Sequence, residues 1–254
     1  MDLDDYTQKY LRDHRRNLSF EAILSDARRK QVLKSLKKYP HRNILEIGCA
    51  LNPLFQYHIN YESYTIVEPS KDFIQNAEKI AKGRNDINFI RGYMGKVDEK
   101  MLELDIDFDF IVLSSLLHEV PNPEELLKSV CKFCNKNTTV HINVPNVYSF
   151  HRLLAYEMGL MDSIFAKSET ESKYQRRTRF NKQLLVKMVR DIGFEVLSQG
   201  TYFIKPFNNK QMEEIIRQGM VDKRVIHGLE RMTRYMPDLG CEMFVDVRII
   251  ATAS

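Results

Sequence analysis

Residues 44–53 read ILEIGCALNP, and the reading of this stretch decides the fold. An apolar run carrying one acidic residue, Glu46, meets Gly48; the small residues Cys49 and Ala50 follow, then Asn52 and Pro53. A strand that stops at a glycine and leads into a cap residue and a proline opens a βα unit, with Asn52 available as helix cap and Pro53 at the first helical position. A dinucleotide-binding turn would carry further glycines where Ala50 and Asn52 stand, because its backbone must approach a pyrophosphate seated on a helix N-terminus. The turn is therefore either a damaged dinucleotide loop or an intact loop for a ligand without phosphate.

Outward from this turn, short apolar runs alternate with amphipathic ones from Arg42 onward, the pattern of a parallel sheet covered by helices. Strands are predicted at 43–48, 64–68, 87–91, 108–114 and 138–144, with two longer ones at 194–204 and 241–251. Between them, 71–83 carries a helical stripe of Phe73, Ile74, Ala77, Ile80 and Ala81 ending at Gly83, a C-terminal glycine. Helices are also predicted from Asn122, a cap followed by Pro123 and two glutamates, and from Asn181 to Gly193. A helical N-terminal leader, residues 1–40, precedes a main domain of 41–254. Insertions at about 145–180 and 205–240 are long for an α/β domain, and connections of that length are usually lids or substrate-binding elements.

Composition narrows the function classes. At 254 residues with 43% hydrophobic side chains, the chain can bury a sizeable core. Its 38 basic against 34 acidic residues give a formal net charge of +4, too balanced for a dedicated nucleic-acid binder. No signal-type apolar region and no run of about 18 apolar residues is present, so the expectation is a soluble, cytoplasmic chain with no membrane or nucleic-acid partner, monomeric or homodimeric. Cys131 and Cys134 form a CxxC, but without two further ligands at matching spacing the pair reads as structural thiols, and no metal is expected.

S-adenosylmethionine carries no phosphate. Its sulfonium and amino-acid tail need one close backbone approach, which Gly48 with its small neighbours allows, and a carboxylate for the ammonium. Glu68 ends the second strand, where a carboxylate can accept both ribose hydroxyls. On these residues, and on IVEPS at 66–70 and FDFIVLSSLLHEVPNPEELL at 108–127, the chain resembles the class I S-adenosylmethionine-dependent methyltransferases. The resemblance implies a Rossmann-like α/β fold: a seven-stranded sheet with helices on both faces and an antiparallel last strand, to which this chain adds its leader and helical lids. It also implies that Glu46, Gly48 and Cys49 lie along the methionine part of the cofactor and Glu68 at the ribose. Gly92, Tyr93 and Met94 would then lie near the adenine, with Leu113 and Ser114 beneath the ligand; the product would be S-adenosylhomocysteine.

His118 follows the fourth strand at the ligand edge of the sheet and reads either as a general base beside the transferred methyl or as part of the architecture. His151, after the fifth strand, is the second candidate base. Asn143, Asn146, Tyr148 and Arg152 form a polar cluster around it that suits an acceptor site. Lys173, Arg176, Arg177 and Arg179 in the first insertion are a solvated face or an arginine clamp on a phosphate-bearing acceptor. Lys205, Asn208 and Gln211 open the second insertion as further contacts. The stretches 144–160, 176–196 and 202–212 resemble a subgroup of these methyltransferases found in bacterial cell-surface polysaccharide (capsule) biosynthesis. The expected acceptor is thus a polar, anionic small molecule, methylated on oxygen. An NAD(P)-dependent oxidoreductase and a non-catalytic partner subunit are the competing readings.

Overall fold

The computed structural model describes residues 3–14, 20–166 and 178–250. Seven strands form one sheet in the order β3-β2-β1-β4-β5-β7-β6: β1 (Asn43–Ile47), β2 (Ser63–Glu68), β3 (Ile87–Arg91), β4 (Phe110–Ser114), β5 (Thr139–Pro145), β6 (Phe194–Tyr202) and β7 (Glu242–Ile249). The first five run parallel, and β7 lies antiparallel between β5 and β6. The chain leaves β1 toward β2 and β3 and returns to β4 on the other side. That reversal leaves a crevice at the carboxyl ends of β1 and β4, where open α/β sheets bind ligands.

Alternation along each strand builds two cores. Ile44 joins Tyr64, Ile66, Phe110 and Val112 on one face. Its neighbour Leu45 points the other way, to Ile111, Leu113, Val140 and Ile142. Both faces are covered, which is why the strands read as nearly continuous apolar runs. Helices α3 (Lys71–Ala81), α5 (Pro123–Cys131) and α7 (Lys182–Ile192) supply much of the cover, with α4 (Asp98–Leu102) in a crossover and α6 (Phe150–Glu157) after β5. The caps at Asn122 and Asn181 form as the residue types dictate, each side chain accepting from the backbone N–H three residues later, Glu125 and Leu184. Gly193 ends α7 at φ +107°, whereas α3 turns left-handed already at Lys82, one residue before the expected glycine.

One expectation fails locally. No helix opens at Asn52 and Pro53; a three-residue 3₁₀ turn, Leu54–Gln56, follows, and the Asn52 side chain caps nothing. Only six residues separate that turn from β2, and only Leu54 and Phe55 bury apolar surface there, so no amphipathic face exists to dock a helix. The leader covers this side of the sheet instead. It consists of α1 (Leu3–His14) and α2 (Phe20–Leu36), and α2 lies against β4 and β5 with Val32 and Leu36 in the core.

The second insertion carries α8 (Asn209–Arg217) and α9 (Lys223–Arg231). Their Met212, Ile215, Ile216, Ile226 and Leu229 pack with Phe20, Leu24 and Ala27 of α2 and with Tyr202, Phe203 and Cys241, forming a third core. A fully buried side chain such as Met212 contributes about 1.5–3 kcal/mol to that docking. Cys131 and Cys134 pack against the main core, where burial pushes the Cys134 thiol up to about 12. Among the described residues no helix is long and apolar enough to cross a membrane.

Candidate active site

The turn after β1 is closed by its own backbone. Gly48 sits at φ +78° and donates its N–H to Val67 O at 2.9 Å; Ala50 takes φ +46°, an uncommon conformation for a residue with a Cβ. Glu68, 5% exposed, faces the turn: one carboxylate oxygen accepts from Ser70 N at 2.9 Å and the other from Ala50 N at 3.4 Å. Burial pushes its carboxyl above the ordinary range against the pull of these N–H groups. Glu46 lies below the turn, accepting from Leu54 N at 3.0 Å and Tyr64 Oη at 2.8 Å. Burial pushes it up to about 7, and the Glu68 charge adds to the shift.

Two buried carboxylates pushed toward their neutral forms favour a cation beside them. The turn offers neither a run of glycines nor a helix N-terminus for a pyrophosphate. A cofactor bearing a sulfonium and an ammonium fits this donor set, and a dinucleotide does not.

The N-terminal helix lies over the same place. Thr7 Oγ1 donates to Ser70 Oγ at 3.0 Å, Gln8 Nε2 to Asp72 at 2.9 Å and Tyr6 Oη to Glu119 at 2.6 Å, while the Tyr10 ring meets Phe73 edge-on. Tyr10 is raised above its ordinary pKa first by burial and then by Glu21, with Glu119 and Glu68 adding to it. The helix was legible only as part of a leader; its tyrosines carried no motif.

At β3, Gly92 is a genuine requirement, since a Cβ there would stand 2.3 Å from the Val97 side chain. Tyr93 is exposed and Met94 packs partly on the core. Leu113 is fully buried in the core, and Ser114 exchanges hydrogen bonds with Asn143, whose Oδ1 also accepts from Ser115 N at 2.9 Å. Asn143 is thereby bound into the sheet, next to a buried pair of His141 and Asp246.

A separate cavity of about 310 Å³ opens beyond β4 and β5. His118, His151, Arg152, Arg179, Lys205, Asn146, Asn208 and Gln211 all line it, so the structure brings these sequence candidates together. Tyr148 does not; it is partly exposed and meets the Phe165 ring. Lys173, Arg176 and Arg177 lie outside the described residues. Asn146 is spent on architecture, donating to Asp238 O and Gly240 O while accepting from Tyr148 N. Arg152 Nη2 holds the carbonyls of Ile164 and Ala166, so it braces the segment after α6 as well as facing the cavity. His151 Nδ1 is 3.1 Å from Ser149 Oγ, and burial, then Lys205 and Arg152, hold the ring well below its ordinary pKa. Glu21, Arg28 and Glu242 also line the cavity and had not been singled out. A signal existed: Glu21 and Arg28 interrupt the apolar stripe of α2 around Leu24, and charged residues on a buried face are rarely idle.

Residues 8–199 match the family model described as a methyltransferase domain. The chain belongs to that methyltransferase family. Its cofactor is S-adenosylmethionine, and the buried carboxylates beside the turn suit that cation. A search of curated proteins gave no match. Among solved structures, the methyltransferase is similar to a possible histamine N-methyltransferase from Thermotoga maritima, at 16% identity and TM-score 0.59, covering 97% of this chain and 99% of that one. It is also similar to the plantazolicin methyltransferase BamL, solved with a substrate analogue and S-adenosylhomocysteine, at 15% identity, TM-score 0.57, and 97% and 90% coverage. The [4+2]-cyclase SpnF shares the architecture at 13% identity, TM-score 0.56, and 89% and 81% coverage. At these identities the likeness speaks for the fold. Among the described residues no His, Cys, Asp and Glu group is arranged to hold a metal.

Proposed function

We propose that this methyltransferase passes the methyl of S-adenosylmethionine to an oxygen of a polar, anionic small molecule seated in the cavity. The acceptor would be a sugar nucleotide, a phosphorylated sugar or a phosphate- or phosphoramidate-type precursor in surface-polysaccharide assembly. The observation that carries the reading is the charge of the cavity wall: Arg28, Arg152, Arg179 and Lys205 against Glu21 and Glu242, four basic residues against two acidic. Both carboxylates are bonded to Arg28, and Arg152, Arg179 and Lys205 add positive charge to the same wall, which favours an anionic acceptor.

When bound, the cofactor supplies an electrophilic methyl on a sulfonium. The chain's own part is alignment and exclusion of water, which for an in-line displacement account for much of the rate. Glu68 and the Gly48–Ala50 backbone would hold the cofactor, with Glu46 and Cys49 supporting that turn and Gly92, Tyr93 and Met94 on its adenine side. For a hydroxyl acceptor, His151 would take the proton: buried and kept neutral, it is in the basic form at neutral pH. An acceptor that is already an oxyanion needs no base. His118, at the end of β4 in the same wall, would orient the acceptor.

Calorimetric titration with S-adenosylhomocysteine and, in parallel, NAD⁺ tests the assignment on wild type and on Glu68→Ala. Micromolar binding of the homocysteine compound alone, weakened at least about 100-fold in the variant, is the expected result. Binding of NAD⁺ instead returns the chain to the oxidoreductases. If neither binds, the fold serves a non-catalytic partner subunit.

A further inference from the structure

One wall of the cavity is a continuous chain of polar contacts drawn from three distant parts of the sequence. Lys205 Nζ donates to Asn209 Oδ1, and Asn209 Nδ2 donates to Glu21 Oε2 at 3.3 Å. Arg28 Nη1 donates to Glu21 Oε1 at 2.7 Å, and Arg28 Nε and Nη2 donate to Glu242 Oε1 at 3.1 and 2.6 Å. All five residues line the cavity.

The chain ends at an unmatched atom. Glu242 is 2% exposed and its Oε2 is buried with no hydrogen-bond partner. Tyr202 stands directly across from Glu242 in the β6–β7 register, and its hydroxyl is also buried without a partner. Native proteins pair nearly all their buried polar atoms, so the open Glu242 Oε2, on a residue of the cavity wall, marks where a ligand completes the pairing. The sign of that ligand follows from the atom: a carboxylate oxygen shielded from water and lacking a donor favours a positively charged one.

We infer that Glu242 Oε2 receives a positively charged amine of the acceptor, so that the acceptor is zwitterionic. Its anionic group faces the cations of the same cavity, Lys205 and Arg179, and its ammonium docks on Glu242. The inference rests on the proposed anionic acceptor and narrows it: neutral sugars and simple phosphate esters lack the amine. Arg28 acts through Glu242 as a positioning residue, since its two donors tie Oε1 and leave Oε2 for the ligand. Glu242 is then the residue that determines specificity at the amine end.

The test uses the full chain saturated with S-adenosylhomocysteine and two probes of similar size, phosphoethanolamine and ethyl phosphate, titrated by calorimetry. Wild type should bind phosphoethanolamine about tenfold or more tightly than ethyl phosphate, the effect of one charge-assisted hydrogen bond. Glu242→Gln should erase that preference and leave ethyl phosphate within about twofold of its wild-type affinity. The wild-type comparison needs no variant, and Glu242→Asp, which shortens the carboxylate but keeps its charge, should retain part of the preference if Gln loosens the wall. Equal binding of the two probes by wild type, or a preference that survives Glu242→Gln, overturns the inference while leaving the anionic acceptor in place. Failure of both probes to bind wild type overturns both readings.

Discussion

The turn after β1 and the cavity beyond β5 are opposites in construction. The turn is made from contiguous chain: Gly48, Ala50, Leu54 and Ser70 supply N–H groups, and Val67 O and the carboxylates of Glu46 and Glu68 accept them, all within the segment from β1 to Ser70, just past the end of β2. The cavity is assembled from α2, the end of β5, α6, the loop before α8 and the start of β7, residues as far apart as Glu21 and Glu242. A site closed by its own backbone holds one ligand chemistry and tolerates little change, because each donor has a fixed place. A site built from side chains on five elements can be re-specified one residue at a time.

If the two regions are energetically separate, each can be disturbed without the other. The largest effect should come from the cavity. His151→Asn should lower kcat by about 100-fold or more for a hydroxyl acceptor while leaving S-adenosylhomocysteine affinity within twofold, as measured by steady-state kinetics and calorimetry. Because burial holds the folded ring well below its ordinary pKa, wild-type turnover should stay flat as pH falls through 6.5 and decline only below it. A decline beginning at 6.5, or a matching loss of cofactor affinity, breaks the separation.

In the turn, Glu46 offers the complementary measurement. Its carboxyl is raised from 4.5 to about 7, so the folded state binds the proton more tightly than the unfolded state. The associated stability is fully present below about 4.5 and is lost as pH rises through about 7, a change of about 3 kcal/mol at most. Glu46→Gln keeps an oxygen for Leu54 N and Tyr64 and should flatten this dependence, so that in urea unfolding the variant gains on wild type between pH 5 and pH 8. The acceptor KM should not move. A variant that instead loses stability at pH 8 shows that Glu46 is held as a charged group.

Asn122→Ala sharpens the comparison from outside both regions. Losing the α5 cap should cost about 1 kcal/mol of stability with kinetics unchanged, and a kinetic effect would mean that α5 transmits strain to the end of β4.

Local chemistry made much of this readable. The strand positions follow from apolar runs buried on both faces, and the caps of α5 and α7 follow from Asn122 and Asn181, because capping is an interaction over three residues. The same locality misled at Asn52 and Pro53, where a plausible helix start is followed by too short a stretch to bury a face. His118, His151, Arg152, Arg179 and Lys205 were each recognisable as polar residues near the ligand edge of the sheet. Asn146 and Asn143 looked equivalent to them, but their amides are committed to carbonyls and to neighbouring side chains, a distinction that depends on where Asp238 and Gly240 come to rest beside Asn146 and Ser114 beside Asn143.

By itself, the sequence determined the architecture and the type of cofactor, since period, turn residues and one carboxylate near the end of each of the first two strands act over short distances. Only the tertiary structure decided that α2, rather than a helix after β1, covers that sheet face, that α1 lies over Glu68, and that Glu21, Arg28 and Glu242 share a cavity wall. Burial and pairing of charges depend on groups brought together across the whole chain, and no pattern along the chain records which carboxylate will be left with an open oxygen.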